Sequence, residues 1–221
     1  MDVFSIVGPV MIGPSSSHTA GAVRLGNIAE ALLGKVPTEA EIVLYGSFAQ
    51  TFRGHGTDKA ILSGIMGFGI DDERLKDSFK EAEKIGLNYH FKACIQADGR
   101  HPNTAHITLK DEEGRVVEME GASVGGGNIL ITQVNGLEVH FNGEFDTLIV
   151  LHRDVPGVVA NVTQLLTENA INICRMQLNR AQRGGDAVMT IEVDGKMSAG
   201  ICSLISEREQ IQKCILCRKI D

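Results

Sequence analysis

Four short segments of this chain combine hydroxyls, imidazoles and glycines at places where a helix or turn begins. The first is Gly13-Pro14-Ser15-Ser16-Ser17-His18-Thr19. Gly and Pro shape a turn, and the hydroxyls then meet the unpaired N–H groups of a helix start, an arrangement suited to a small anion such as a carboxylate. Composition alone leaves a plainer reading open, in which one serine only caps the helix. The Ser-His adjacency is not a triad signal, because triads assemble in space rather than along the chain. The second segment is Gly54-His55-Gly56-Thr57-Asp58-Lys59-Ala60. A histidine between two glycines has little side-chain packing next to it, and it titrates near neutral pH, where it can accept or give a proton. Asp58 either caps the following helix or orients an imidazole. A lone loop histidine is more often inert surface; two histidine-bearing helix starts in one region favour a function.

The third and fourth segments are His101-Pro102-Asn103-Thr104 and Ser123-Val124-Gly125-Gly126-Gly127-Asn128. The triple glycine offers backbone N–H groups without side-chain obstruction. It is not a phosphate loop, since no Gly-Lys-Ser/Thr follows. Its structural alternative is a hairpin linker between strands. A hydrolase built on one of Ser15 to Ser17 is disfavoured, because the chain has no Gly-x-Ser-x-Gly elbow.

The elements that must position these segments fall into two parts, separated near residues 142–146. The first part opens with Phe4-Ser5-Ile6-Val7; after the first segment, spacing predicts a helix over 19–33 stopped by Gly34, and a strand at 41–45. Residues 46–56, rich in small and polar side chains, read as loop. A helix capped by Thr57 or Asp58 follows to about residue 66. Asp71-Asp72-Glu73 opens another helix ending at Gly86. The period then changes to two, with strands at 89–96, 106–110, 116–120, 129–134 and 137–141. Glu112-Glu113-Gly114 and Asn135-Gly136 are the turns between them. This part reads as an α+β domain, 1–142, with an antiparallel sheet dominating its second half. In the second part, 146–221, strands at 147–152, 171–178, 187–193 and 211–219 alternate with helices over 158–169 and 198–207. That order is βαββαβ, the ferredoxin-like arrangement.

Bulk properties exclude several classes. The 221 residues carry a net charge of -7 without a long basic run, which argues against nucleic acid as a partner. No run approaches the roughly 18 apolar residues of a membrane span, and the first residues lack the basic stretch of a secretory signal. Five irregularly spaced cysteines make no disulfide framework and fit reduced thiols in the cytoplasm. Cys214-x-x-Cys217 is the one close pair. On a strand, residues three apart point to opposite faces, so the pair is not expected to chelate one metal.

Residues 147–220 resemble an ACT domain, through the strand, Asp154-x-Pro156-Gly157-Val158-Val159 and the amphipathic helix that follows. The resemblance implies side-by-side pairing, hence a homodimer, and an effector site near Asp154, Pro156, Gly157 and Val158. Gly157 would let a carboxylate approach the helix start. The bland alternative is a tight turn alone, since the fold also serves structural modules.

About residues 1–140 resemble the β domain of iron–sulfur-dependent L-serine dehydratases. The segments at 13–19, 54–58, 101–104 and 123–127, with Tyr45-Gly46-Ser47, occur in that family's order. The resemblance implies deamination of L-serine to pyruvate and ammonia, in which the iron of a [4Fe-4S] cluster acts as Lewis acid on the substrate hydroxyl. It places the cluster ligands on an α subunit, and no metal ligand on this chain. Together with residue chemistry it makes His55 the first choice for proton transfer and His18 the second. Substrate contacts fall to Ser15, Ser16, Ser17, Thr19, Thr57, Asp58, Asn103, Gly125 and Gly126. The same family also resembles serine-binding regulatory domains of some phosphoglycerate dehydrogenases, so a stand-alone serine sensor is the alternative.

Overall fold

A computed structural model describes residues 15–198 and 200–219. Gly13, Pro14 and the opening residues 4–7 lie outside the described residues. By contacts the chain divides into two units, one ending at Asn135 and the other beginning at Gly136.

The first unit opens with a five-residue π-helical turn, Ser16–Ala20, which runs into α1, Gly21–Leu33. Gly34, at φ 75°, ends α1 as expected. Strand β1 is Glu39–Tyr45, followed directly by α2, Gly46–His55, and α3, Thr57–Ile65. A 3-10 turn, Glu73–Asp77, capped by Asp72, leads into α4, Ser78–Lys84. Strands β2 (Asn88–Cys94), β3 (Thr104–Lys110), β4 (Val116–Gly125) and β5 (Asn128–Val134) complete the unit.

Helix α2 corrects the loop expected over residues 46–56. Gly46 and Gly54 within it and Gly56 at its end conceal a helical signal: Phe48, Ala49 and Phe52 share a face at helical spacing. Phe48 and Ala49 are buried, and the Phe52 ring stacks on Phe91 at 6.2 Å. Gly56, at φ 71°, is the left-handed residue that stops α2 and admits α3. His55 therefore ends a helix. Neither Thr57 nor Asp58 caps α3, because the cap position is Gly56 itself.

The sheet of the first unit runs β2-β1-β3-β4-β5. Its pairs are antiparallel except β1 with β2, which are parallel. Alternation sets the register: Ile42 lies opposite Ile107, and Ile107 opposite Met119, all buried. Helix α1 packs on β3, β4 and β5, and crosses α3. That crossing is close. A Cβ on Gly64 would stand 2.0 Å from Val23 O, and one on Gly26 2.4 Å from Ile61 O.

The second unit contains β6 (Leu137–Phe141), β7 (Asp146–Arg153), α5 (Val158–Glu168), β8 (Ile173–Arg180), β9 (Asp186–Val193), α6 (Gly200–Ser206) and β10 (Ile211–Cys217). Its sheet runs β10-β7-β9-β8, all antiparallel, which is the ferredoxin-like order expected for βαββαβ. Val162, Leu165 and Leu166 of α5 and Ile201 and Ile205 of α6 bury one sheet face, against Leu148, Val150, Met189 and Ile191. Strand β6 packs against β8 and β9, and Asn179 Nδ2 donates to Glu138 O at 2.8 Å.

Candidate functional site

The π-helical turn is wound by Ser15. Its Oγ accepts from His18 N at 3.4 Å and lies 3.4 Å from His18 Nδ1, while Thr19 N donates to Ser15 O at 2.8 Å. Ser15 is thus the capping serine, and the hydroxyls of Ser16 and Ser17 are not used for that purpose. Wider-than-α turns of this kind frequently occur at functional sites.

Residues distant in sequence surround the turn. It packs against α1, α2, α3 and β4. The His18 ring meets His55 edge-on, with centroids 4.7 Å apart, and Phe48 at 5.2 Å. Phe48 N donates to Pro102 O at 3.2 Å. Ser123 N donates to Asn103 O at 3.0 Å, and Asn103 Nδ2 returns to Ser123 O at 3.5 Å. A Cβ on Gly21 would stand 2.1 Å from Ser123 Oγ, so Ser123 closes the circuit back onto α1. The histidine turn, the His55 helix end, the 101–104 segment and the end of β4 are one connected assembly.

Several buried polar atoms of this assembly have no hydrogen-bond partner among the described residues: His18 Nε2, Thr19 Oγ1, Thr57 Oγ1, Asn103 Oδ1 and Ser123 Oγ. An unpaired buried polar atom costs about 1–3 kcal/mol. Such atoms are paired by solvent or by a ligand, and five on touching elements make this the candidate binding place of the first unit. Burial, then repulsion from His55, lowers the pKa of His18 below 6.5, so its ring is neutral at neutral pH and able to accept a proton.

Asp58 is buried, and its Oδ1 accepts from Lys59 N at 2.8 Å. Burial raises its pKa, partly offset by that bond and by the charges of Lys59 and Arg53. The triple glycine forms a tight turn. Gly125 pairs with Asn128, and Gly126 and Gly127 sit at φ 61° and 84°. The link from this turn to the assembly is Gly127 O, which accepts from Arg24 Nη1 on α1 at 2.8 Å. Sequence reasoning missed Gly21, Arg24 and Phe48. A glycine in the first turn of a helix costs helical stability, so Gly21 carried a readable sign of close approach.

The ACT-like turn is arranged differently. Asp154 Oδ2 accepts from Arg180 Nη1 at 2.7 Å and from Gly184 N at 3.0 Å, tying the turn after β7 to the β8–β9 hairpin. Those bonds, the backbone one foremost, hold its carboxyl below the usual carboxylate range. Gly157 starts α5 at φ 95°, and Val158 is buried in the unit's core.

Residues 1–134 match the family model of the serine dehydratase beta chain, and residues 148–212 match that of the AHAS small subunit-like ACT domain. The chain is similar to a "Probable L-serine dehydratase, beta chain" of Bacillus subtilis, 44% identical over 95% of this chain and 94% of the relative. It is similar also to an "L-serine dehydratase, beta chain" of Peptoniphilus asaccharolyticus, 38% identical over 91% of each. A D-3-phosphoglycerate dehydrogenase of Synechocystis is 33% identical over 84% of this chain and 33% of its own length.

Proposed function

The chain belongs to the serine dehydratase beta-chain family, and from that premise we propose that it is the β subunit of an L-serine dehydratase, active with an α subunit. The observation that carries this reading is the His18–His55 ring pair, 4.7 Å apart, within a set of buried hydroxyl and amide oxygens that lack partners.

Deamination of serine begins with loss of the Cα proton and the β-hydroxyl. The resulting enamine tautomerises to an imine, which water hydrolyses to pyruvate and ammonia. The Cα proton is weakly acidic and needs both a base and stabilisation of charge at the adjacent carboxylate. His55 is assigned the proton-transfer role, with His18 as its neutral neighbour. Ser15, Ser16, Ser17, Thr19, Thr57, Asp58, Asn103, Gly125 and Gly126 are assigned to substrate. Of these, Thr19, Thr57 and Asn103 bring unpaired oxygen atoms. Ser15 Oγ is also engaged with His18, and Asp58 Oδ1 with the start of α3, so these two would hold the frame as well as meet substrate.

The side chains of the described residues do not fit an iron–sulfur cluster. Among the described residues no three His, Cys, Asp or Glu side chains form a metal-binding group. Cys214 packs in the helix-side core of the second unit, whereas Cys217 is buried opposite Thr147. The cluster is therefore assigned to the α subunit, and this chain to the substrate and the proton. The second unit is assigned to pairing of two copies and to an effector at Asp154, Pro156, Gly157 and Val158. A cytoplasmic location suits the five free cysteines. Among the described residues, no helix is long and apolar enough to cross a membrane.

Two beta chains match nearly end to end, whereas the phosphoglycerate dehydrogenase matches over a third of its length, so the sensor reading is not favoured. The test is anaerobic co-expression with an α chain and an assay for pyruvate from L-serine. The complex is expected to turn over and the chain alone to be inactive. Serine binding without turnover by the complex would return the sensor reading, and full activity of the chain alone would overturn the subunit assignment.

A further inference from the structure

Two thiols of the second unit face each other, Cys202 on α6 and Cys214 on β10, with sulfurs 3.3 Å apart. We propose that this pair is a modification site for hydroperoxides, oxidised to a disulfide that staples α6 to β10. The inference does not depend on the proposed activity.

Position singles the pair out. Helix α6 packs on β10, and both sulfurs belong to the rim of the helix-side core, half-buried beside Ile205 and Ile201. Cys174 is exposed on β8, Cys94 stands in the first unit, and Cys217 is fully buried, its thiol pushed up to about 12 by that burial. A disulfide needs sulfurs at about 2.05 Å, so closure brings the two sulfurs roughly 1.2 Å nearer.

Chemistry assigns the roles. The Cys214 thiol donates to Cys202 sulfur. That bond, against the opposing effect of burial and with help from the Arg218 charge, lowers the pKa of Cys202, while donation and burial raise that of Cys214. Cys202 is thus the more readily ionised of the two, and the attack is assigned to its thiolate form. It takes the terminal OH oxygen of the peroxide as the O–O bond breaks, expelling alkoxide (hydroxide from hydrogen peroxide), which is protonated to the alcohol or water, and becomes a sulfenic acid. Cys214 sulfur then attacks Cys202 sulfur, the S–S bond forms, the S–O bond breaks, and the departing hydroxide takes the Cys214 proton as water. Two thiols and one hydroperoxide give one disulfide, one water and one alcohol, or two waters from hydrogen peroxide. The loop so closed restricts the unfolded chain, so oxidation should raise the melting temperature of the second unit by about 5 °C or more.

The test uses the full chain treated with hydrogen peroxide at equimolar concentration, then alkylated under denaturing conditions, digested and mapped by mass spectrometry. The expected result is a peptide joined through Cys202 and Cys214, with the intact mass lowered by two hydrogens and restored by dithiothreitol. Cys202→Ser and Cys214→Ser should each abolish the cross-link and the thermal shift, and Cys174→Ser should preserve both. Mapping of the unsubstituted chain needs no variant to fold. Free alkylation of both thiols after oxidation, oxygen adducts at Cys174 in place of a cross-link, or a cross-link that survives Cys214→Ser would overturn the proposal.

Discussion

The two units each present a glycine-bearing helix start that suits a small anion, and they use it in opposite ways. At the turn after β7, Asp154 is held by Arg180 and Gly184, and Val158 disappears into the core. Around His18, five buried polar atoms lack partners among the described residues. The carboxylate of the turn after β7 is already paired, so an effector there would meet bonds that are made, whereas the His18 turn leaves polar atoms for solvent or a ligand to pair. The comparison teaches that glycines and hydroxyls near a helix start are not enough to identify a site. Unmatched buried polar atoms occur in the second unit as well, at His152, Gln177 and Glu192; in the first unit, elements distant in sequence gather five of them around one turn.

That contrast can be broken by adding a methyl group at three glycines. The largest effect is expected from Gly64→Ala, where the new carbon would lie 2.0 Å from Val23 O. The α1–α3 crossing must separate, and denaturant unfolding of the first unit should show a loss of about 3 kcal/mol. Gly21→Ala comes next. Its methyl meets Ser123 Oγ at 2.1 Å and Ser123 Cβ at 2.7 Å, displacing the histidine turn. In the α/β complex serine turnover should fall on the order of 100-fold, because misplacement by about 1 Å has that consequence. Circular dichroism of the variant should remain that of the folded chain. Gly157→Ala is the control in the second unit. Its methyl meets nothing within 4 Å, and only the φ of 95° resists it. A stability loss of about 1–2 kcal/mol, with turnover unchanged, is expected. Turnover falling with Gly157→Ala and not with Gly21→Ala would invert the comparison.

Titration gives a smaller and subtler separation. His18 has a folded pKa below its unfolded value of 6.5. Between those two values the unfolded chain binds more protons, so stability rises with pH across that window. The cost of charging His18 is fully present below its folded pKa and absent above 6.5. His18→Gln should therefore flatten the loss of stability on acidification in that window, as read by thermal melts from pH 7 downward. An unchanged slope would mean that His18 is solvated like any surface histidine.

Much of the frame was legible in sequence. Asn135-Gly136 behaves as the strong hairpin signal it resembled, at φ 49° and 76°. Period-two runs gave β3 to β5, and the βαββαβ rhythm gave the order of the second sheet. Helix α2 was hidden because Gly46, Gly54 and Gly56 outweigh, on propensity, the Phe48–Phe52 spacing that packing rewards. The parallel pairing of β1 with β2 joins strands separated by three helices and a 3-10 turn, and no local signal carries it. The candidate residues were readable as segments, but the His18–His55 contact was not, since it depends on α2 being a helix that carries His55 back to the turn. Gly21 and Phe48 escaped notice for the same reason: their roles exist only once Ser123 and His18 stand beside them.

The most direct test of the central claim is serine turnover by the anaerobic α/β complex carrying His55→Ala. The histidine pair as proton-transfer centre predicts a loss of about 100- to 10,000-fold, with complex assembly and circular dichroism retained. Near-normal pyruvate formation by that variant would remove His55 from the reaction and contradict the account.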